Sequence, residues 1–315
     1  MRILHVGKYY HPHRGGMETV LREVAEGLIE RGADVRVLAA GRPGGDGGSL
    51  ALGRGRLLRA STWGVMNSQP LTPDLPGMLH RELRDFAPDI VHLHFPNPLA
   101  ALAWRLAAGR RREGTRLAVW HHADIVRQRW GRFVAGPVQQ SCLRRAAGIV
   151  VSSAAFAASS TELARHRARV TVIPFGIDPA PWSAREPTGD GPFLFVGRLV
   201  AYKGLAVLLQ ALREVGGARL AVVGDGPSGT RLRRMARKLG VADRVEWLGE
   251  NRRDDLAARL AGARALVLPS VDASETFGLV QLEAMAAGVP VVATDLPTGV
   301  REIAAPASHL LVPPG

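Results

Sequence analysis

The sequence predicts an α/β chain built from two successive doubly wound parallel sheets that face each other across a cleft. Short β-branched and apolar runs alternate with helical patterns from one end to the other. The alternation pauses once, at a Pro-, Gly- and Asp-rich stretch from Pro174 to Pro192 that reads as an interdomain linker, and then restarts. A length of 315 residues with 46% hydrophobic content allows two cores of ordinary size. The domains are therefore expected at 1–174 and 192–315, joined by 175–191. Ligands of open α/β sheets lie outside the carboxyl ends of the strands, so a tandem of two such sheets puts the binding cleft between them.

In chain order, Arg2–Val6 reads as the first strand; its apolar stretch is too short for a signal peptide. Helix Met17–Glu30 follows, then strand Asp34–Leu38 and a Gly/Arg-rich stretch, Gly41 to Arg56, expected to be a mobile loop. Helix Asp74–Phe86 precedes strand Asp89–Leu93, and helix Pro98–Ala108 precedes strand Arg116–Trp120. Helix Phe133–Ala146, strand Gly148–Val151, helix Ala154–His166 and strand Arg169–Ile173 complete the first set. After the linker come strands Phe193–Val196, Ala218–Val223, Arg244–Trp247, Ala263–Leu268 and Pro290–Ala293. Between and beside them lie helices Gly204–Val215, Thr230–Leu239, Asp254–Ala261 and Phe277–Ala287. No repeat at solenoid periods is present.

Composition excludes several classes. No run of about 18 apolar residues exists, so no transmembrane helix is implied. The lone Cys142 cannot form an internal disulfide, which suits a reducing cytoplasm, and it reads as a small hydrophobe on a helix. The net charge of +13 invites a nucleic-acid reading, but lysine occurs only at Lys8, Lys203 and Lys238. The arginines are spread along the chain with few aromatics among them for base stacking, so nucleic acid is not the expected partner. An anionic membrane surface is the sharper expectation. Its candidate contacts are Arg105, Arg110, Arg111, Arg112, Arg127, Arg129, Arg132, Arg144 and Arg145.

The most informative stretch is SETFGLVQLEAMAAG. Phe277, Leu279, Val280, Leu282, Ala284, Met285 and Ala286 suggest a mostly buried helix, with Ser274 or Thr276 as N-cap and Gly288 and Pro290 as stop. Glu275 then precedes the helix and Glu283 lies about two turns inside. At ~1.5 Å per residue they are about 12 Å apart, roughly a diphosphate with a sugar at each end. Between them, the free amides of the first turn around Gly278, Leu279 and Val280 make an anion site at the positive end of the helix dipole. That arrangement suits a nucleotide sugar. The bland alternative for Glu283 is a helix residue reaching solvent, but a carboxylate in so apolar a run is costly without a partner.

Other motifs fit the same ligand. Gly15-Gly16-Met17-Glu18 opens a helix soon after the first strand, either to let backbone approach an anion or simply as a tight βα turn. Gly197-Arg198 ends a buried strand and Lys203-Gly204 begins the next helix, bringing two cations to where a pyrophosphate would leave. Gly224, Gly226 and Gly229 spell the dinucleotide fingerprint, with Glu246 about twenty residues on. The fingerprint stands in the second strand–helix unit of its domain and is interrupted by Pro227, so a turn lining a nucleotide pocket is preferred to NAD(P) binding. His92 and His94 share one face of a strand, and His121, His122 and Asp124 follow another. A zinc or iron site is conceivable there. The ligands come from separate loops without tight spacing, so hydrogen-bonding or proton-carrying roles at a cleft edge are preferred and no metal is expected; His92 could equally be structural.

In this order, GGME, HHADIV, VIPFGID, FVGRLVAYKG, VVGDGP and SETFGLVQLEAMAAGVPVVATD resemble the retaining glycosyltransferases of family four, whose GT-B fold has two Rossmann-like domains. The resemblance runs over nearly all of the chain. It implies a nucleotide-diphosphate sugar donor, GDP- or UDP-hexose, held mainly by the C-terminal domain, and no other cofactor. Arg198 and Lys203 would clamp the pyrophosphate, Glu275 would contact the transferred sugar and Glu283 the ribose. Gly278, Leu279 and Val280 would offer amides to the phosphates, Gly15 and Gly16 would close over the diphosphate, and Gly197 and Gly224 would line the pocket. His122 would lie beside the anomeric carbon, with His121 competing for that role. The implied reaction retains anomeric configuration without metal and builds a surface polysaccharide or glycolipid on a glycan or lipid-linked acceptor, at or near the inner face of the membrane. Lys203→Ala or Glu275→Ala would then abolish transfer and leave the fold intact. Two departures stand out. Phe175 replaces the Asn of many relatives, and the chain stops at LLVPPG where relatives add helices, so it reads as cut short. A nicotinamide oxidoreductase and a basic nucleic-acid-binding protein are the rival classes.

Overall fold

The computed structural model describes residues 1–13, 15–45, 47–66, 69–108, 113–125, 129–305 and 310–315, with 129–135 described in backbone only. The chain divides into two compact units: Met1–Val151 with Ser160–Ile173, and Ser152–Ser159 with Pro174–Gly315.

The first unit contains β1 (Arg2–Val6), α1 (Gly16–Glu30), β2 (Asp34–Pro43), β3 (Gly48–Leu52), β4 (Gly55–Thr62), β5 (Gly64–Met66) and β6 (Gln69–Leu71). It continues through α2 (Leu75–Asp85), β7 (Ile90–Phe95), α3 (Pro98–Ala107), β8 (Arg116–His121), α4 (Arg129–Arg145) and β9 (Gly148–Val151). Helix α5 (Ala154–Ser159) belongs to the second unit, and β10 (Val170–Val172) returns to the first. The eight-stranded sheet has the order β10-β9-β8-β7-β1-β2-β4-β3, parallel except for β3 against β4. The chain leaves β1 toward β2 and later comes back to β7 on the other side, so the topological switch point lies between β1 and β7. Asn97 caps α3, its Oδ1 accepting from the Ala100 amide at 3.1 Å, and Pro98 follows at the helix start where its missing N–H costs nothing.

The second unit contains β11 (Phe193–Val196), α6 (Leu205–Glu214), β12 (Leu220–Val223), α7 (Gly229–Lys238), β13 (Val245–Gly249), α8 (Arg253–Ala261) and β14 (Ala265–Leu268). It ends with α9 (Leu279–Ala286), β15 (Val291–Thr294), α10 (Gly299–Ala304) and β16 (Leu310–Val312). Its six strands run in the order β13-β12-β11-β14-β15-β16, all parallel, and its switch point lies between β11 and β14. The central strands β12 and β14 are buried along their whole length, which is why they read as unbroken apolar runs. One side packs Leu205, Leu209 and Leu232 against Phe195 and Val222; the other packs Leu260, Val280 and Ala284 against Leu194 and Leu266.

The chain departs from three expectations. The stretch Gly41–Arg56 is not a loop: it holds the end of β2, all of β3 and the start of β4, because Ser49 pairs with Leu58 and Leu52 with Gly55 in a hairpin. Helix Ala154–His166 stops at Ser159, where serine and threonine side chains compete with the helical backbone: the Ser160 hydroxyl turns to Asp124 and accepts from the Leu163 amide. Neither Ser274 nor Thr276 caps α9; the cap is Gly278, without a side-chain bond. Cys142 is buried 3.7 Å from the Ala101 carbonyl oxygen, and burial pushes its thiol up to about 12, in keeping with a packing role. Among the described residues no helix is long and apolar enough to cross a membrane.

Candidate active site

The second unit's site is assembled at the carboxyl ends of β11 and β14, on either side of the switch point. After β11, a 3₁₀ turn at Ala201–Lys203 carries the chain into α6. Gly204 sits there at φ 70°, and a Cβ on it would lie 1.7 Å from the Pro269 carbonyl oxygen. Only glycine lets these two loops meet so closely. The Val271 amide then donates to the Tyr202 carbonyl at 2.8 Å and locks the approach. Lys203 Nζ thereby reaches Glu275 Oε2 at 2.5 Å, and the Ser270 hydroxyl donates to the same oxygen at 2.9 Å. Burial works against the Lys203 charge, but the Glu275 carboxylate outweighs it and holds the ammonium above its ordinary 10.5.

Around this buried pair the other candidates fall as follows. Arg198 is exposed just after β11; its carbonyl accepts from the Val200 amide at 2.8 Å, and its guanidinium makes no ion pair among the described residues. Gly197 lies over Lys203, its Cβ position 3.5 Å from the lysine side chain. Gly278, Leu279 and Val280 open α9, where their amides precede the first intrahelical bond, while the Gln281 amide donates to the Gly278 carbonyl at 2.9 Å. Glu283 is half-buried on α9, so of the two carboxylates only Glu275 is enclosed. The same geometry attaches a stability cost to Lys203→Ala or Glu275→Ala: removing either partner strands the other's charge in a buried place. A surface hollow lined by Pro192, Arg219, Asp243 and Glu246 lies at the opposite, amino ends of β11–β13, away from the Lys203–Glu275 pair.

The dinucleotide fingerprint has a structural explanation. A Cβ on Gly224 would lie 2.1 Å from the Gly197 carbonyl oxygen, and one on Gly226 2.7 Å from that of Leu199. These glycines admit the backbone that follows β11, which accounts for the fingerprint without a dinucleotide.

In the first unit, Gly15 and Gly16 are exposed at the start of α1, well beyond the end of β1, so they do not form a tight turn. The two candidate histidines separate cleanly. His121 is buried, its Nε2 2.9 Å from Asp124 Oδ1 and 3.8 Å from Glu162 Oε2. Asp124 also accepts from the Ser160 hydroxyl and the Thr161 amide. His122 turns the other way: its Nε2 lies 3.0 Å from His94 Nδ1, and its ring stacks on Trp120 at 5.7 Å. Burial, then the neighbouring His92 and His121, lower its pKa to about 3, so it stays neutral at physiological pH. His5, absent from the candidates read in the sequence, joins this group through His94 at 3.2 Å. The parallel register that pairs His5 with His92 is the signal that could have revealed it. Glu162 and Ser270 were missed because nothing local marks them.

Comparison with known proteins places this geometry in a lineage. The profile for "Glycosyltransferase Family 4" matches residues 14–181, and that for "Glycosyl transferases group 1" matches 177–315. The O-antigen chain mannosyltransferase C of Escherichia coli is 32% identical over 312 residues, covering 95% of this chain and 81% of that protein. The chain belongs to glycosyltransferase family 4. The D-rhamnosyltransferase WbpZ of Pseudomonas aeruginosa is 31% identical over 320 residues, 96% of this family 4 chain and 80% of the relative. In fold, Anabaena HepE, solved in complex with UDP-glucose, superposes with a TM-score of 0.75 at 20% identity, covering all of this chain and 86% of HepE. Both parallel-sheet units of this glycosyltransferase therefore have the GT-B architecture.

Proposed function

We propose that this family 4 glycosyltransferase moves a hexosyl unit, with retention, from a nucleotide-diphosphate sugar to a glycan or lipid-linked acceptor. Surface polysaccharide or glycolipid synthesis is the setting, in the cytoplasm and at an anionic membrane face. The observation that carries the reading is the buried Lys203–Glu275 pair at the switch point of the second sheet, beside the exposed Arg198 and the open amides of α9.

In this reading the leaving diphosphate lies between Arg198, Lys203 and the amides of Gly278, Leu279 and Val280, beneath Gly197 and Gly224. These cations and dipoles take the developing negative charge, so the reaction needs no metal. Glu275 does two things: it holds Lys203 in place and presents its remaining oxygen to the sugar hydroxyls. Glu283 bonds the ribose. Gly15 and Gly16 offer exposed backbone to the diphosphate. His122 serves the acceptor side; its ring as packed faces His94 and Trp120, so it acts as a neutral hydrogen-bonding group rather than as a cation. The mannosyltransferase relative favours a mannosyl donor, and HepE, bound to UDP-glucose, favours a UDP-hexose.

A thermal-shift panel of UDP- and GDP-sugars with and without EDTA, followed by NMR of the product anomer, tests this. One nucleotide sugar should raise the melting temperature equally in both conditions, and the product should keep the donor's anomeric configuration. An inverted product, or a shift only with metal or with NAD, would overturn it.

A further inference from the structure

We propose that His5, His92 and His94 form a binding site for a divalent transition-metal cation of the zinc class, separate from the donor-binding groups. The parallel register sets His5 beside His92, and His94 stands two residues further on the same face of β7. They lie on the two strands flanking the first sheet's switch point, His5 and His94 near the carboxyl ends and His92 in the middle of β7. One ring nitrogen from each falls within 4.8 Å of the other two. His5 Nδ1 and His94 Nε2 are already 3.2 Å apart. Two imidazole nitrogens on one tetrahedral zinc, each about 2.0–2.1 Å from the metal, stand about 3.3 Å apart.

The hydrogen bonding of the cluster is incomplete. The Nε2 atoms of His5 and His92 are cut off from solvent and meet no hydrogen-bond partner among the described residues. Each neutral imidazole carries one N–H, so the contacts His5–His94 and His94–His122 run in one direction or the other. Either way, His5 Nε2 is left as a donor without an acceptor or a lone pair without a donor, which is costly in a buried place. A dication would take the lone pairs of His5 Nδ1 and His94 Nε2, which stand 3.2 Å apart, together with one from His92. His94 Nδ1 lies 3.0 Å from His122 Nε2, the outer contact that fixes which nitrogen of a ligating imidazole is free. Burial lowers the pKa of His5 and His94 and brings that of His92 to about 4, so all three rings hold the neutral, ligating form at pH 7. Trp120 stacks on His92 and His94 at 5.8 and 6.0 Å and closes one side. His121, Asp124 and Glu162 also converge within 4.8 Å, but their groups are tied to Ser160, Thr161 and the Ile125 amide.

The test is a titration of the untagged, chelator-stripped full chain with Co²⁺, read by its visible ligand-field bands, and then competition with Zn²⁺. One equivalent should bind with a tetrahedral spectrum. His92→Gln and His5→Gln should weaken binding by about 100-fold or more, and His122→Gln by about 10-fold, the range for an outer contact. His11→Gln, at an exposed position, should change nothing. Circular dichroism confirms that each variant is folded, and the wild-type titration stands by itself if one is not. Absence of saturable binding to the wild type overturns the proposal. So does binding that survives both His5→Gln and His92→Gln, or that is lost in Asp124→Asn and kept in His92→Gln.

Discussion

Lys203 and Glu275 enclose opposite charges 2.5 Å apart with little access to solvent, so neither can be removed without isolating the other. Breaking such a pair from one side costs about 3–5 kcal/mol. Lys203→Met and Glu275→Gln should each lower the stability of the second unit by roughly that amount. The double variant should lose clearly less than the sum, because no uncompensated charge remains; urea unfolding of all four proteins measures the coupling. All three variants should lose about 100-fold or more in transfer, the effect of deleting an electrostatic contact to a leaving group, as read by nucleoside diphosphate release. Because the folded-state pKa of Lys203 is raised above its ordinary 10.5, the pair's contribution is fully present below that value. It is lost as pH rises through the folded pKa, so wild type and the double variant should converge in melting temperature only in strong alkali. The sequence named both residues as ligand contacts but did not show that they bind each other. That bond depends on Gly204, which faces Pro269 across the switch point, and a pairing between two loops so far apart in the chain leaves no trace in local pattern.

The turn before α6 and the loop after β14 are held together by backbone contact, which makes their geometry sensitive to a single methyl group. Gly204→Ala must place its Cβ 1.7 Å from the Pro269 carbonyl oxygen and hold a left-handed φ of 70°. The conformation alone costs about 1–2 kcal/mol, and the overlap is with backbone that cannot step aside. The expected outcome is a lower urea midpoint together with weaker nucleotide-sugar binding, since Lys203 moves with the turn. A variant with unchanged midpoint and binding would show that the two loops do not need to touch. At this scale several strands were legible: β1, β9 and β11 have the bounds their apolar runs indicate. The hairpin β3–β4 was not, because β3 is exposed along nearly its whole length and is held extended by pairing with β4 and not by a core-facing pattern. The end of α5 was hidden for a related reason, since the Ser160–Asp124 bond joins residues 36 apart in sequence.

For the whole molecule, a formal charge of +13 sets which surfaces it will approach, and the way that charge is distributed decides between lipid and nucleic acid. Arg105 near the end of α3 and Arg144 and Arg145 at the end of α4 are exposed, on helices that touch through Cys142 and Ala101. Arg110, Arg111, Arg112 and Arg127, and the side chains of Arg129 and Arg132, lie outside the described residues. Each arginine near an anionic surface contributes about 1 kcal/mol, falling off within a Debye length. The triple variant Arg105→Gln/Arg144→Gln/Arg145→Gln should therefore lose about 3 kcal/mol, roughly 100-fold, in partition onto phosphatidylglycerol vesicles at low salt. Cosedimentation measures it, with zwitterionic vesicles and duplex DNA as comparisons. Because the three substitutions touch none of the donor groups, nucleotide-sugar binding in solution should be unchanged. Equal binding to neutral and anionic vesicles, or stronger binding to DNA than to lipid, would mean that the excess charge is general rather than directed at a membrane.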